Sequence, residues 1–198
     1  MEREASGTTS WSLHAGMERE RTCAMAAKYP DKIDQLSGDA ALQKIRSLLG
    51  NFRAAMFTTT DGREIHTRPM ALLGQASDFG GALWFFTDKR SHKIDEIDRG
   101  VTALVFQNDA DSAHLQLNGR ARHEPDPERM RALYTPFLKV WFPDGLDDPS
   151  LTMIRFDADS GHFWETPGGA IQTLAAFAKA LVTGSPARAG NTGDVSLR

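Results

Sequence analysis

The residues from Thr87 to Lys93 are of the types that bind an anion. The run Thr87-Asp88-Lys89-Arg90-Ser91-His92-Lys93 places hydroxyl groups and cations at a predicted junction between a strand and a helix. A helix start offers unpaired backbone N–H groups and a partial positive charge, and Ser91 and Lys93 can add a hydroxyl and an ammonium to the same phosphate. The alternative is a capped surface helix whose lysines face solvent.

Arg68 is a second candidate for anion binding, and it lies on a predicted strand. Because residues two apart share a face of a strand, Glu64, His66, Arg68 and Met70 point the same way. Pro69 removes a donor from the strand ladder, which indicates a sheet edge or a bulge where backbone groups stay free for a ligand. On this pattern alone, a solvated charge explains Arg68 equally well.

A third candidate comes from the polar face of a later strand. His114, Gln116 and Asn118 alternate with Leu115 and Leu117. The amide of Gln116 can both donate and accept hydrogen bonds, as the edge of a heterocyclic ligand would require. The alternative is a strand face that is exposed to solvent and binds no ligand.

Other kinds of chemistry lack their motifs. The six histidines show no H-E-x-x-H or close paired spacing and no accompanying cysteine, so no metal site is expected. No G-x-G-x-x-G follows a strand and no Walker loop is present, which argues against Rossmann and P-loop folds. A G-x-S-x-G nucleophile elbow is also missing, so hydrolase chemistry has no support.

The composition predicts one globular domain with tails. The chain has 198 residues, of which 40% are hydrophobic and 25% charged, and a formal charge of -3 without a basic face. Nucleic acid is therefore not an expected partner. No stretch approaches the roughly twenty apolar residues of a membrane span, and no signal-peptide core precedes Pro30. We therefore expect no membrane association. Because Cys23 is the single cysteine and cannot form an internal disulfide, we expect the protein in the reducing cytoplasm.

Periodicity predicts a mainly β chain. Strands are expected at 53–60 and 63–73 around an Asp61-Gly62 turn, at 82–87, 101–107 and 113–123, and as a last hairpin of 151–156 and 162–165. Helices are expected at about 42–49, 91–98, 126–139 and 170–182. Short strands joined by hairpin turns favour an antiparallel barrel over βαβ winding.

The same patterns divide the chain into three parts. Residues 1–36 are expected to form a flexible arm, with Met17 and Met25 as alternative starts to Met1. Residues 37–183 are expected to form the domain, and 184–198 a C-terminal tail.

Several runs, in order, resemble one family. Residues 56–60, His66-Thr67-Arg68-Pro69-Met70 and residues 84–93 resemble the general stress protein 26-like branch of the pyridoxamine 5'-phosphate oxidase-like, FMN-binding split barrels. Residues 115–121 and Phe163-Trp164-Glu165 also look like strands of that family, and the likeness runs from about 42 to 182. The fold class implied is an antiparallel split β-barrel with flanking helices.

The resemblance implies a homodimer with FMN at the subunit interface. The phosphate would be held by Arg68, Ser91 and Lys93, with His92 in the same motif. The flavin ring would lie near Pro69 and Met70 and near Phe86 and Thr87. Trp164 is a candidate contact from the partner subunit, and its alternative is a core or interface aromatic.

Two departures limit what the resemblance implies. His92 stands where true pyridoxamine phosphate oxidases commonly have arginine, and their C-terminal arginine-and-histidine motif is not visible after Trp164. Oxidation of vitamin B6 is therefore not expected.

The function expected is that of a flavin-dependent oxidoreductase linked to stress, with no side chain identified as catalytic acid or base. A non-catalytic protein that stores or senses FMN is the alternative. A deazaflavin or haem in place of FMN is a third reading, in which His66 or His92 would serve as axial ligand to haem.

Overall fold

The structure is a computed structural model that describes residues 34–98, 100, 102–110, 112–165 and 191–198. Its strands are β1 (Asp34–Ser37), β2 (Ala54–Thr60), β3 (Ile65–Ala71), β4 (Ala82–Asp88), β5 (Thr102–Asn108), β6 (Ala113–His123), β7 (Leu151–Glu165) and β8 (Asn191–Ser196). Its α-helices are α1 (Gly38–Leu49), α2 (Lys93–Ile97) and α3 (Pro127–Leu133). Short 3₁₀ helices lie at Ala76–Asp78, Pro136–Val140 and Gly145–Asp147.

The described strands form one sheet with an open seam. Their order is β1-β8-β7-β6-β5-β2-β3, and β4 joins the sheet by pairing with β7. All the described pairs are antiparallel except β1 with β8, which is parallel. Within the described residues, the outer edges of β3 and β4 have no strand partner. The predicted class, a mainly β split barrel with flanking helices, is confirmed.

The core lies between the inner face of the sheet and α1. Alternating residues of the strands are buried, and the rings of Phe57 and Phe85 meet edge to face with centroids 5.3 Å apart. Helix α1 buries Ala41, Ile45 and Leu48 against this layer. These spacings bury one helical face, as the sequence predicts. Burial of this apolar surface stabilises the arrangement of the strands, including β3 and β4 at the open seam.

The strands predicted from residue 53 to residue 123 are confirmed to within two residues at each end. Helix α2 is shorter than the predicted 91–98, because it begins at Lys93. With only five residues, it leaves anion binding at this junction to side chains rather than to a helix terminus.

The predicted last hairpin is wrong, because residues 151–165 form one continuous strand, β7. Gly161 had suggested a turn, but an ideal Cβ built there would lie 2.5 Å from the backbone oxygen of Gln116. The register with β6 shifts by one residue opposite Asn118 and Gly119, which is the geometry of a β-bulge. Glycine therefore marks a close approach of two backbones here, and not a chain reversal.

The predicted helix at 126–139 is broken in two. Asp126 caps α3 as expected, accepting hydrogen bonds from the backbone N–H groups of Glu128 and Arg129 at 3.0 Å each. Helix α3 ends at Leu133, and Thr135 is extended, with φ -129° and ψ 147°. Pro136 disfavours helical geometry at the residue before it, so the chain restarts as a 3₁₀ helix.

Both predicted termini contain strands. Asp34–Ser37, at the end of the predicted arm, forms β1, and Asn191–Ser196, within the predicted tail, forms β8 between β1 and β7. Neither segment has strong alternation, so pairing with the rest of the sheet determines their structure. The rest of the arm and the predicted helix at 170–182 lie outside the described residues. Within the described parts of the chain, no helix is long and apolar enough to cross a membrane.

Gly161→Ala is expected to lower the free energy of unfolding by roughly 1–3 kcal/mol, because its methyl group would overlap the backbone of β6. Gly80→Ala is the matched control, since an ideal Cβ at Gly80 would have no other atom within 4 Å. Urea denaturation of both variants measures the effect. Equal midpoints for the two variants would contradict the close approach at Gly161.

Candidate anion-binding groove

A groove of about 990 Å³ lies at the seam between β3 and β4. Strand β3 lines it from Arg68 to Ala71, and strand β4 lines it from Phe86 to Asp88. The remaining wall comes from the junction with α2 and from the segment between α3 and β7, through Arg90, Lys93, Leu138, Trp141, Phe142, Asp144, Asp148, Pro149 and Ser150, with Ala54 and Leu73 completing it. The volume is in the range of small-molecule sites.

Lys93 supplies one cation to this groove. Its Nζ donates hydrogen bonds to Thr87 Oγ1 at 2.7 Å and to Ser91 Oγ at 2.6 Å. Both partners are neutral hydroxyls. Burial lowers the pKa of Lys93, and the nearby charge of Arg68 lowers it further. The ammonium is thus partly desolvated and repelled by a second cation, an environment that an anion would relieve.

Arg68 supplies the other cation, and its guanidinium is held at two points. Nη1 donates to Thr59 Oγ1 at 2.7 Å, and Nη2 forms an ion pair with Glu96 Oε2 at 2.7 Å. Arg68 follows the predicted face of β3, with His66 and Met70, because Phe57, Thr59 and Ala55 oppose these three residues on β2. The alternative of a merely solvated charge does not hold, because the guanidinium is paired within the protein.

Glu96 is the centre of this network. Its side chain is only 8% exposed, and its other oxygen, Oε1, lies 2.7 Å from His66 Nδ1. Burial raises the pKa of Glu96, but hydrogen bonds from Thr59 and His66 and the charge of Arg68 outweigh burial and leave the pKa below its usual value. Glu96 is therefore a buried carboxylate held in its charged form.

His66 responds to the same carboxylate in the opposite direction. The hydrogen bond to Glu96 raises the pKa of His66 above the usual 6.5, although burial opposes the shift. Glu64 Oε2 lies 3.8 Å from Nε2 of the same ring. In the parts of the chain that the structure describes, no group of three or more His, Cys, Asp or Glu side chains is placed to hold a metal ion.

Besides its cations, the groove wall carries both apolar side chains and the carboxylates of Asp88, Asp144 and Asp148. Its apolar part is formed by Leu138, Trp141 and Phe142, and Trp141 is 57% exposed. The ring of Phe137 meets Trp141 edge to face at 5.0 Å. A planar ligand with one anionic group would therefore find a charged end and an apolar length in one groove.

The residues singled out from the sequence fall into two groups. Arg68, Pro69, Met70, Phe86, Thr87 and Lys93 line the groove, and Ser91 contacts the ammonium of Lys93. His92 is exposed and is not part of the groove lining. Gln116 and Trp164 lie on the outer face of the sheet: Gln116 donates to Asn118 Oδ1 at 3.0 Å, and the ring of Trp164 packs on His162.

Sequence reasoning missed Thr59 and Glu96. Glu96 lies three residues after Lys93, and Ile97 beside it is buried. A carboxylate next to a buried position in a short helix indicates a cationic partner, because an unpaired buried charge is costly. The identity of that partner depends on how α2 packs against β2 and β3, which no local pattern gives.

Comparison with known proteins identifies relatives of this chain. Residues 40–187 match the family described as pyridoxamine 5'-phosphate oxidase like. Protein bli-3 from Neurospora crassa is 25% identical over 169 residues, which cover 80% of this chain and 80% of that protein.

Solved structures show the same fold. A general stress protein 26 from Jannaschia sp. CCS1 matches with a TM-score of 0.67 and 25% identity, covering 81% of this chain and 100% of that one. The general stress FMN/FAD binding protein from Xanthomonas citri matches with a TM-score of 0.56 and 25% identity, covering 65% of this chain and 90% of that one.

The contact between Glu96 and His66 predicts a titration. The imidazole of His66 should titrate above 6.5, and in Glu96→Gln its pKa should fall because the partner charge is removed. Stability from this contact is fully present below pH 6.5 and is lost as the pH rises through the raised pKa. NMR titration of His66 measures both values. A wild-type pKa at or below 6.5 would contradict the contact.

Proposed function

Because the chain belongs to the pyridoxamine 5'-phosphate oxidase like family, in its general stress protein 26 branch, we propose that it binds FMN and works as a flavin-dependent oxidoreductase. The name of the Xanthomonas citri relative, an FMN/FAD binding protein, supports a flavin as the ligand. The names of the structural relatives also suggest a link to stress.

The observation that carries the proposal is the pair of cations, Arg68 and Lys93, in a groove whose wall is partly apolar. Lys93 has hydroxyl groups as its hydrogen-bond partners, and Arg68 uses two of its five N–H donors within the protein. A phosphate monoester carries up to two negative charges and accepts several hydrogen bonds, so it fits this donor set. The residues present therefore suit FMN.

Each part of the groove then has a role. Arg68, Lys93 and Ser91 would hold the phosphate, and Thr87 fixes the Lys93 ammonium. The edge of β3 at Pro69 and Met70 and the ring of Phe86 on β4 line the apolar length where the flavin ring would lie. A bound flavin supplies electron or hydride transfer, while the protein positions it and limits its contact with water.

We also propose a homodimer with FMN at the subunit interface. Met56 and Val105, 41% and 40% exposed, are register partners on the outer face of the sheet, and Pro69 pairs with Met56 on its other side. This apolar row joins the groove edge to the outer face, where Gln116 and Trp164 also lie. Gln116 and Trp164 could thus reach the flavin of a partner subunit, although they do not line the groove of their own chain.

The arrangement favours a flavin over haem. Neither His66 nor His92 lines the groove, and Nδ1 of His66 is hydrogen-bonded to Glu96. Haem would require an axial ligand facing it. A deazaflavin with a phosphate would use the same cations, so the absorbance spectrum has to distinguish it from FMN.

The absorbance spectrum of the purified protein, before and after loading with FMN and removal of the excess, tests the proposal directly. We expect flavin to be retained and then reduced by NAD(P)H or another physiological donor. Flavin that is retained without reduction by any donor would favour storage or sensing. A protein that stays colourless and cannot be loaded would contradict flavin binding.

Lys93→Ala and Arg68→Ala are each expected to weaken FMN binding by roughly 1–3 kcal/mol, the worth of a hydrogen bond to a charged group. Riboflavin lacks the phosphate, so its affinity should stay the same. Lys89→Ala is the matched control, because Lys89 is exposed and is not part of the groove lining. Fluorescence titration gives the affinities. Unchanged FMN affinity in both variants would overturn the phosphate site.

Met56→Glu is expected to convert the dimer into monomers, because it places a charge in the apolar row of the outer face. Val140→Glu is the control, since Val140 is 68% exposed but lies on a 3₁₀ helix and not on the outer face of the sheet. Analytical ultracentrifugation measures the mass of each variant. A wild-type monomer, or a Met56→Glu dimer, would contradict this interface.

A further inference from the structure

The carboxylate of Glu96 joins three elements of the fold. Glu96 lies on α2, accepts a hydrogen bond from Thr59 on β2, and contacts Arg68 and His66 on β3, each at 2.7 Å. The helix that begins at Lys93 is thereby attached to the strand that carries Arg68. The distance between the two cations of the groove thus depends on one buried side chain.

Glu96 also sets the direction of the Arg68 guanidinium. Nη2 is held by Glu96 and Nη1 by Thr59, whose own hydroxyl donates to Glu96. A free arginine on an edge strand would sample many rotamers and would lose that freedom on binding a ligand. Holding two donors beforehand leaves the remaining N–H groups in one orientation and removes most of that cost.

The same carboxylate changes the charge of the site. Glu96 cancels the charge of Arg68, and a protonated His66 restores it. Other charged groups near His66 are Glu64, with Oε2 3.8 Å from Nε2, and Asp61 on the preceding turn. Thr59, opposite His66 on β2, is neutral. The protonation state of His66 therefore alters the net charge next to the groove by one unit.

We propose that Glu96 is a positioning residue of the phosphate site, which orients Arg68 through one oxygen and couples ligand affinity to the protonation of His66 through the other. The proposal rests on the proposed function, because it requires Arg68 to meet the flavin phosphate. Neither Glu96 nor His66 lines the groove, so both act through Arg68.

The sign of the coupling follows from the charges. At low pH, His66 is protonated, Glu96 is balanced, and both Arg68 and Lys93 attract the phosphate. As the pH rises through the pKa of His66, the charge of Glu96 is uncovered and FMN affinity falls. The phosphate itself ionises a second time near pH 6, which raises affinity in the opposite direction. The difference between wild type and His66→Asn isolates the histidine.

The test measures the dissociation constants of FMN and riboflavin from about pH 5.5 to pH 9, a range that spans the ordinary pKa of histidine. The variants are Glu96→Gln, Glu96→Ala and His66→Asn. Glu124→Gln is the control, because Glu124 bridges Arg122 and Arg155 and is not part of the groove lining. Thermal melting of each variant confirms that it is folded.

Glu96→Gln keeps an acceptor for Arg68, so its FMN affinity should match or exceed that of the wild type at high pH. Glu96→Ala removes the hold on Arg68 and should bind FMN roughly tenfold to a hundredfold more weakly than Glu96→Gln, by analogy with residues that orient metal ligands. Riboflavin affinity should be equal in all variants. The fall in FMN affinity at the pKa of His66 should move to lower pH in Glu96→Gln, where that pKa is lower, and should be lost in His66→Asn.

Two outcomes overturn the inference. Equal FMN affinity of Glu96→Ala and Glu96→Gln would exclude positioning, and an unchanged pH profile in His66→Asn would exclude the coupling. If the wild type binds FMN and Lys93→Ala weakens it, either outcome removes only the role of Glu96. A wild-type protein that binds neither FMN nor riboflavin would instead contradict the proposed function.

Discussion

The rest of the structure depends on strand β7, because both of its edges pair with other strands of the sheet. One edge pairs with β6 along its length, while the other pairs first with β4 and then with β8. This requires close backbone contact, since an ideal Cβ at Gly119 would lie 2.0 Å from the backbone oxygen of Asp157. On this edge β4 pairs with β7, and within the described residues its other edge is not paired with β3. The seam between them is the groove.

The open seam leaves a groove between two strand edges. Strand β3 presents Arg68 there, and the chain leaving β4 enters α2 and presents Lys93. The two residues are far apart in sequence, and Glu96 is what connects them. A single ion pair therefore fixes the geometry of a site whose two walls have no strand pairing between them. This explains why a buried carboxylate is kept beside two cations, although burial alone opposes its charge.

Local patterns predicted much of the fold and half of the site. Alternation placed Arg68 and Met70 on one face of β3, and the junction after β4 indicated Lys93 and Ser91. What the sequence could not give depends on long-range pairing. The local sequence at Gly161 predicted a turn. Its actual role, a close approach to β6, depends on a strand from a distant part of the chain. Strand β8 shows little hydrophobic alternation, so its position depends on its strand partners. The ion pair between Glu96 and Arg68 depends on the packing of α2 on β2 and β3.

The balance of charge in the groove connects stability with binding. Lys93 is partly buried near Arg68, and this arrangement costs free energy in the protein without a ligand. Glu96 limits the cost by cancelling one of the two cations, yet it leaves donors on Arg68 and the ammonium of Lys93 facing the groove. A ligand with two negative charges recovers more free energy there than a neutral one. In the proposed site, the carboxylate that pairs with Arg68 in the ligand-free protein would therefore also influence which ligands the groove favours.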